Sequence, residues 1–137
     1  MTPITLSPYL NFSGKTREAM QFYQSVLGGT LTLQTFSEIP GMPVPPGMED
    51  GIMHSQLEAD GIVIQASEGA PGSQVSIGNN VHMCLTGSDL ARLTTIFNAL
   101  AVGGTVKMPL AKQFWGSMFG MLLDRFGVQW MVNAVEN

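Results

Sequence analysis

The chain is short of charge, and of basic residues above all. Of its 137 residues six are Lys or Arg, ten are Asp or Glu and two are His, giving a formal net charge of -4. No two basic residues are adjacent. Phosphate backbones are bound through clustered Lys and Arg, so nucleic acid is excluded as an expected partner. A single cysteine, Cys84, rules out an internal disulfide and fits a reducing compartment. No uncharged apolar run approaches the roughly 20 residues that span a bilayer. The most apolar segment, near the C-terminus, is broken by Asp124 and Arg125. The opening residues Met1 to Leu6 carry no Lys or Arg and do not read as a signal peptide. These absences lead to the expectation of a cytoplasmic protein with no membrane partner.

What is present is apolar material in periodic order. Hydrophobic residues make up 45% of the chain, enough for one domain with a real core. Ile4 to Phe12 alternates as a strand does, and Ser13-Gly14 then opens a helix for which Ser13 or Thr16 is the capping candidate. Ala19, Phe22, Tyr23, Val26 and Leu27 mark its apolar face, and Gly28-Gly29 ends it. Thr30 to Phe36 alternates strictly and predicts a strand. Ile39 to Gly51, with four of the eight prolines, is a loop. Strands at Ile52 to Ala59 and Ile62 to Ser67 flank Asp60-Gly61, a hairpin signal.

The second half repeats this order. A strand is expected at Val81 to Leu85, then a helix capped by Ser88 or Asp89 with Leu90, Leu93, Ile96, Phe97 and Leu100 as its buried face. Gly103-Gly104 stops that helix, and strands follow at Thr105 to Met108, Met118 to Leu123 and Val128 to Ala134. The Gly-Gly-Thr triplets at 28 and 103 stand 103 - 28 = 75 residues apart. The same shift carries Leu10 onto Leu85 and Phe22 onto Phe97, which points to duplication rather than chance. The fold class is therefore α+β: one domain, residues 1–137, of two βαβββ modules at about 1–68 and 80–137.

Several segments carry a family resemblance. They are Pro8-Tyr9-Leu10-Asn11-Phe12, Ala19-Met20-Gln21-Phe22-Tyr23, Leu27-Gly28-Gly29, Met53-His54-Ser55-Gln56-Leu57, Phe114-Trp115-Gly116, Gly120-Met121 and Asp124-Arg125-Phe126-Gly127-Val128-Gln129-Trp130. Together they resemble the vicinal-oxygen-chelate superfamily of glyoxalase, bleomycin-resistance and dioxygenase proteins, in its PhnB-like branch. The resemblance implies curved mixed β-sheets with flanking helices, pairing as a homodimer and pockets at or near the interface. It does not imply one activity, because function resides in the site and not in the fold.

Enzymes of that superfamily generally hold a divalent metal on His, Glu or Gln from the first and last strand of each module. Carried over, those positions fall on Pro8 (or Ser7 or Tyr9, one residue either way), Gln65, His82 and Met131. Proline offers no side-chain donor and a thioether suits hard or borderline cations poorly. The expected cofactor is therefore none, with a divalent metal on His82, His54 and Gln65 as the alternative.

His54 and Gln56 should face away from the helices, because Met53 and Leu57 face toward them. His54 and His82 are candidates for a shared cavity as polar lining, as ligand contacts or acid-base groups, or as a displaced metal site. Cys84 reads as a packing residue. Trp115, in a polar-aromatic loop, is either a pocket wall or a cap on the sheet core, and Met131 with other methionines suits a forgiving apolar pocket. Asp124 with Gly127 reads as turn chemistry.

The expected function is binding of a small molecule in an intermodule cavity lined by His54, Gln56, Gln65, His82, Trp115 and Met131, without the usual metal centre. The alternative is a metal-dependent lyase, isomerase or dioxygenase with an altered site, completed by Asp50 or Glu68. No glycine-rich nucleotide loop follows a strand, so methyl transfer finds no support in the sequence.

Overall fold

The computed structural model describes residues 3–41, 43–44, 46–69 and 74–136. The chain gathers into two units, Met1–Ser76 and Ile77–Asn137. The first contains β1 (Tyr9–Asn11), α1 (Thr16–Leu27), β2 (Thr30–Thr35), β3 (Ile52–Ala59) and β4 (Ile62–Ser67). Its sheet has the order β1-β4-β3-β2, with β1 parallel to β4 and the other pairs antiparallel. The second contains β5 (Met83–Gly87), α2 (Leu90–Ala101), β6 (Thr105–Lys112), β7 (Met118–Leu123) and β8 (Gln129–Ala134). Its order β5-β8-β7-β6, with β5 parallel to β8, is the same arrangement again.

In each unit one face of the sheet is closed by the helix. Alternation along the strands sends Ser55 and Leu57 of β3 and Ile64 and Ala66 of β4 to that face, and all four are buried. They meet Ala19, Met20, Tyr23, Val26 and Leu27 of α1. In the second unit Leu122, Trp130, Val132 and Ala134 meet Leu93, Ile96, Phe97 and Leu100 of α2. Phe97 lies so close over Gly120 that a Cβ there would sit 2.8 Å from its ring.

The duplication extends to backbone contacts. A Cβ on Gly29 would collide with the carbonyl of Glu58, and one on Gly104 with the carbonyl of Leu123. In both units, then, the chain leaving the helix passes against the end of the third strand at a spacing only glycine allows. This shared contact also makes Ala59 and Asp124 counterparts, since each follows the residue whose carbonyl is struck and presents its Cα at 2.9 Å.

Several expectations are corrected. The first strand is three residues long, not nine: Ile4 and Leu6 alternate but are fully exposed and pair with nothing that would make them a strand. The fifth strand begins at Met83, so His82 lies just before it and Val81 is exposed. The sixth runs on to Lys112 through Pro109, tolerated because β6 is an edge strand. Phe36 leaves β2 after a bulge and is buried in a 3-10 turn, Phe36–Glu38. On the helices, Phe22 is only half-buried and Leu90 is exposed, while Met20 is fully buried.

The caps differ too. Neither Ser13 nor Thr16 supplies a side-chain cap to α1, whose N-cap position is Lys15. The Glu68 carboxylate does so from the end of β4, accepting from the Thr16 hydroxyl at 2.7 Å and the Thr16 amide at 3.4 Å. Its other oxygen accepts from the Ile52 amide at 3.0 Å. Helix α2 is capped by Asp89 as expected, its Oδ1 accepting from the Arg92 amide at 3.0 Å.

Candidate functional site

The helix-free face of the first sheet collects the polar residues. Pairing places Tyr9 beside Gln65, Gln65 beside Gln56 and Gln56 beside Thr32, an uninterrupted polar row across all four strands. Residues directly opposite on paired strands share a face, with Cβ atoms about 5 Å apart. His54, two residues from Gln56 and opposite Gln34, stands on the same face. The Tyr9 hydroxyl is 3.2 Å from His54 Nδ1, with the rings 5.9 Å apart. Phenol and imidazole can each donate or accept in this contact, which ties the His54 ring to β1. The Gln56 amide donates to Glu58 next along the strand. The row therefore offers amide, hydroxyl and imidazole groups within reach of one another.

The equivalent face of the second sheet is built from sulfur. Cys84 pairs with Met131, Met131 with Met121, and Met121 with Met108. The shift of 75 residues carries Tyr9 onto Cys84, and Gln65 and Met131 each stand four residues past a hairpin glycine (65 - 61 and 131 - 127). The two rows are thus the same positions in the two copies, with opposite chemistry. Cys84 is exposed, which corrects its reading as a packing residue. Beside this row, Asn133 lies between Thr86 and Phe119, and its Oδ1 is buried without a hydrogen-bond partner.

The six predicted site residues fall into both units. His54, Gln56 and Gln65 come together on the polar face. His82 is half-buried at the entry to β5, Met131 is in the sulfur row, and Trp115 lies half-exposed in the loop between β6 and β7. That loop is held by Gln113 and Ser117 backbone bonding, and Trp115 packs edge-on against Phe114 and Phe119 at 4.9 and 5.9 Å. Tyr9, weighed in the sequence only as a poor metal ligand, is the residue that reading undervalued. Its pairing with His54 spans 45 positions, and no local pattern signals it.

The donor chemistry fits a divalent centre poorly. The positions that would supply ligands present Pro8, with no side-chain donor, or its neighbour Tyr9, a phenol engaged by His54, then a neutral amide at Gln65, a single imidazole at His82 just before β5 and a thioether at Met131. Of the carboxylates that could complete such a site, Glu68 is bonded through both oxygens to Thr16 and Ile52. Among the described residues, no three or more His, Cys, Asp or Glu side chains gather closely enough to hold a metal ion. Asp124 serves the turn, as expected: it accepts from the Phe126 and Val128 amides at 2.8 and 3.0 Å, and also from the Trp130 indole at 2.8 Å. No helix among the described residues is long and apolar enough to cross a membrane.

Two four-stranded mixed sheets, each with one helix, are the architecture of the vicinal-oxygen-chelate superfamily. Solved glyoxalase and bleomycin-resistance proteins share it at TM-scores of 0.59 to 0.62 and 13–15% identity, a likeness of fold alone. Residues 4–133 match the family described as 3-demethylubiquinone-9 3-methyltransferase, and the chain belongs to that family, the PhnB-like branch of the superfamily. Protein YjdN of Escherichia coli is 31% identical, the match covering 96% of this chain and 95% of YjdN. The crystal structure of protein PA1353 from Pseudomonas aeruginosa is 38% identical with a TM-score of 0.84, over 98% of this chain and all of that one. The PhnB protein of Bacillus cereus, described as a putative 3-demethylubiquinone-9 3-methyltransferase, shares the fold at 24% identity. Its TM-score is 0.76, over 96% of this chain and all of that one.

Proposed function

We propose that the protein binds a small, hydrogen-bonding, uncharged or weakly cationic molecule on the polar row of its first sheet, without a divalent metal. The observation that carries this reading is the row Tyr9–Gln65–Gln56–Thr32 with His54 oriented into it by Tyr9. Their donors and acceptors suit an organic ligand better than a divalent metal ion. The methyl-transfer activity in the family's description is not part of this reading. No glycine-rich loop of the kind that cradles nucleotides follows β1, which reaches α1 through Phe12-Ser13-Gly14-Lys15 alone.

The test has two parts. Protein purified without chelator is assayed for zinc, iron, manganese and nickel, and each is expected well below one equivalent. Polar small molecules are then screened by NMR, watching the side-chain amides of Gln56 and Gln65. A hit should move both amides and should lose binding in Gln65→Leu. A stoichiometric divalent metal, or hits that leave both amides unmoved, would overturn the proposal.

A further inference from the structure

We infer that the helix-free face of the second sheet is a site for a soft monovalent cation of the copper(I) class, held by Met108, Met121 and Met131. The three residues stand on adjoining strands β6, β7 and β8, with Met121 in the middle. The pairing of Met131 with Met121 lies in a regular stretch of ladder, and a bulge between Val106 and Met108 brings Met108 opposite Met121. Bulges commonly serve to re-aim a side chain in this way. Met121 and Met131 are half-buried and Met108 is 39% exposed, so the row lies within reach of solvent.

Geometry and donor chemistry agree. Neighbouring strands lie about 4.8 Å apart, and a thioether sulfur sits two bonds beyond Cβ on freely rotating bonds. Three such sulfurs can converge on a point above the central strand. Thioethers discriminate strongly among metals: they serve copper(I) well and the oxygen-seeking divalent cations badly. The substitution that spoils this sheet for the superfamily's divalent metal is therefore the one that suits it to a soft ion. Cys84, next in the row beyond Met131, is a fourth sulfur at its margin. The inference stands apart from the polar-row proposal, which concerns other residues and other metals.

The experiment uses the full chain, reduced and anaerobic, with copper(I) supplied as its bicinchoninate complex. Loss of the complex's visible absorbance reports transfer, and carbon-labelled methionine methyl signals report where the ion goes. One equivalent is expected to transfer. The methyls of Met108, Met121 and Met131 should shift together, while that of Met20, fully buried on the inner face of α1, should stay. Met121→Leu should weaken binding about tenfold or more, equivalent to about 1.4 kcal/mol, with an unchanged circular dichroism spectrum. Cys84→Ser should leave a saturable site. The inference is overturned if no copper transfers or transfer does not saturate. It is equally overturned if Cys84→Ser abolishes binding while Met121→Leu and Met131→Leu do not, since the ligand is then a surface thiol alone.

Discussion

The two units share one architecture and differ in what they do with the face that no helix covers. In the first, the central row is Tyr9, Gln65, Gln56 and Thr32; in the second it is Cys84, Met131, Met121 and Met108. The covered faces changed far less: both remain aliphatic and aromatic, and both keep the glycine that lets the helix exit pass the third strand. A duplicated fold under stability constraint conserves volume and contact where the helix packs. Where the unit's own helix does not pack, the two copies have diverged in composition. The comparison teaches which positions are scaffold and which are available for a site.

That division can be broken most forcefully at the paired glycines. Gly29→Ala and Gly104→Ala each drive a methyl into a backbone carbonyl, and each should cost about 4 kcal/mol or more, read by urea denaturation. Gly29 should be the worse, because its φ of 89° adds left-handed strain. If either alanine is tolerated within about 1 kcal/mol, the two exits are not equivalent.

A smaller effect separates the hairpins. Asp124→Ala removes a buried carboxylate serving two amides and an indole, and should cost about 2–3 kcal/mol. Its counterpart in the first unit is already Ala59, and the neighbouring exposed Asp60→Ala should stay within about 0.5 kcal/mol. Next come the helix starts. Glu68→Gln should cost about 1–2 kcal/mol, somewhat more than the roughly 1 kcal/mol of Asp89→Ala, because Glu68 also ties the Ile52 amide. The smallest change belongs to the uncovered face: Met121→Leu should shift stability by less than about 1.5 kcal/mol, whatever it does to ion binding. A larger loss would mean that the sulfur row is core after all.

Where alternation coincided with pairing, the sequence was enough. Ile52–Ala59, Ile62–Ser67 and Met118–Leu123 have the expected bounds because each is a paired inner strand or its hairpin partner. Alternation alone misled at Ile4 and Leu6, where no strand stands alongside to take up the backbone. Pro109 suggested an end to β6 that an edge position does not enforce. The placement of His54 and Gln56 away from the helix was legible from Leu57 on the opposite side. The Tyr9 contact to His54 and the Glu68 cap on α1 were not, since each joins residues more than forty positions apart. The sulfur row was visible only as an excess of methionine, because its meaning lies in cross-strand register.

The placement of the aromatic residues has a practical consequence. Both tyrosines, Tyr9 and Tyr23, belong to the first unit, and both tryptophans, Trp115 and Trp130, to the second. Within each pair one ring is buried between helix and sheet, Tyr23 and Trp130, and the other is exposed, Tyr9 and Trp115. The molecule therefore carries two colours of intrinsic emission, one per half, each with an inner and an outer lamp. Light absorbed by tryptophan alone questions only the sulfur-bearing half, and quenchers confined to solvent dim Trp115 before Trp130.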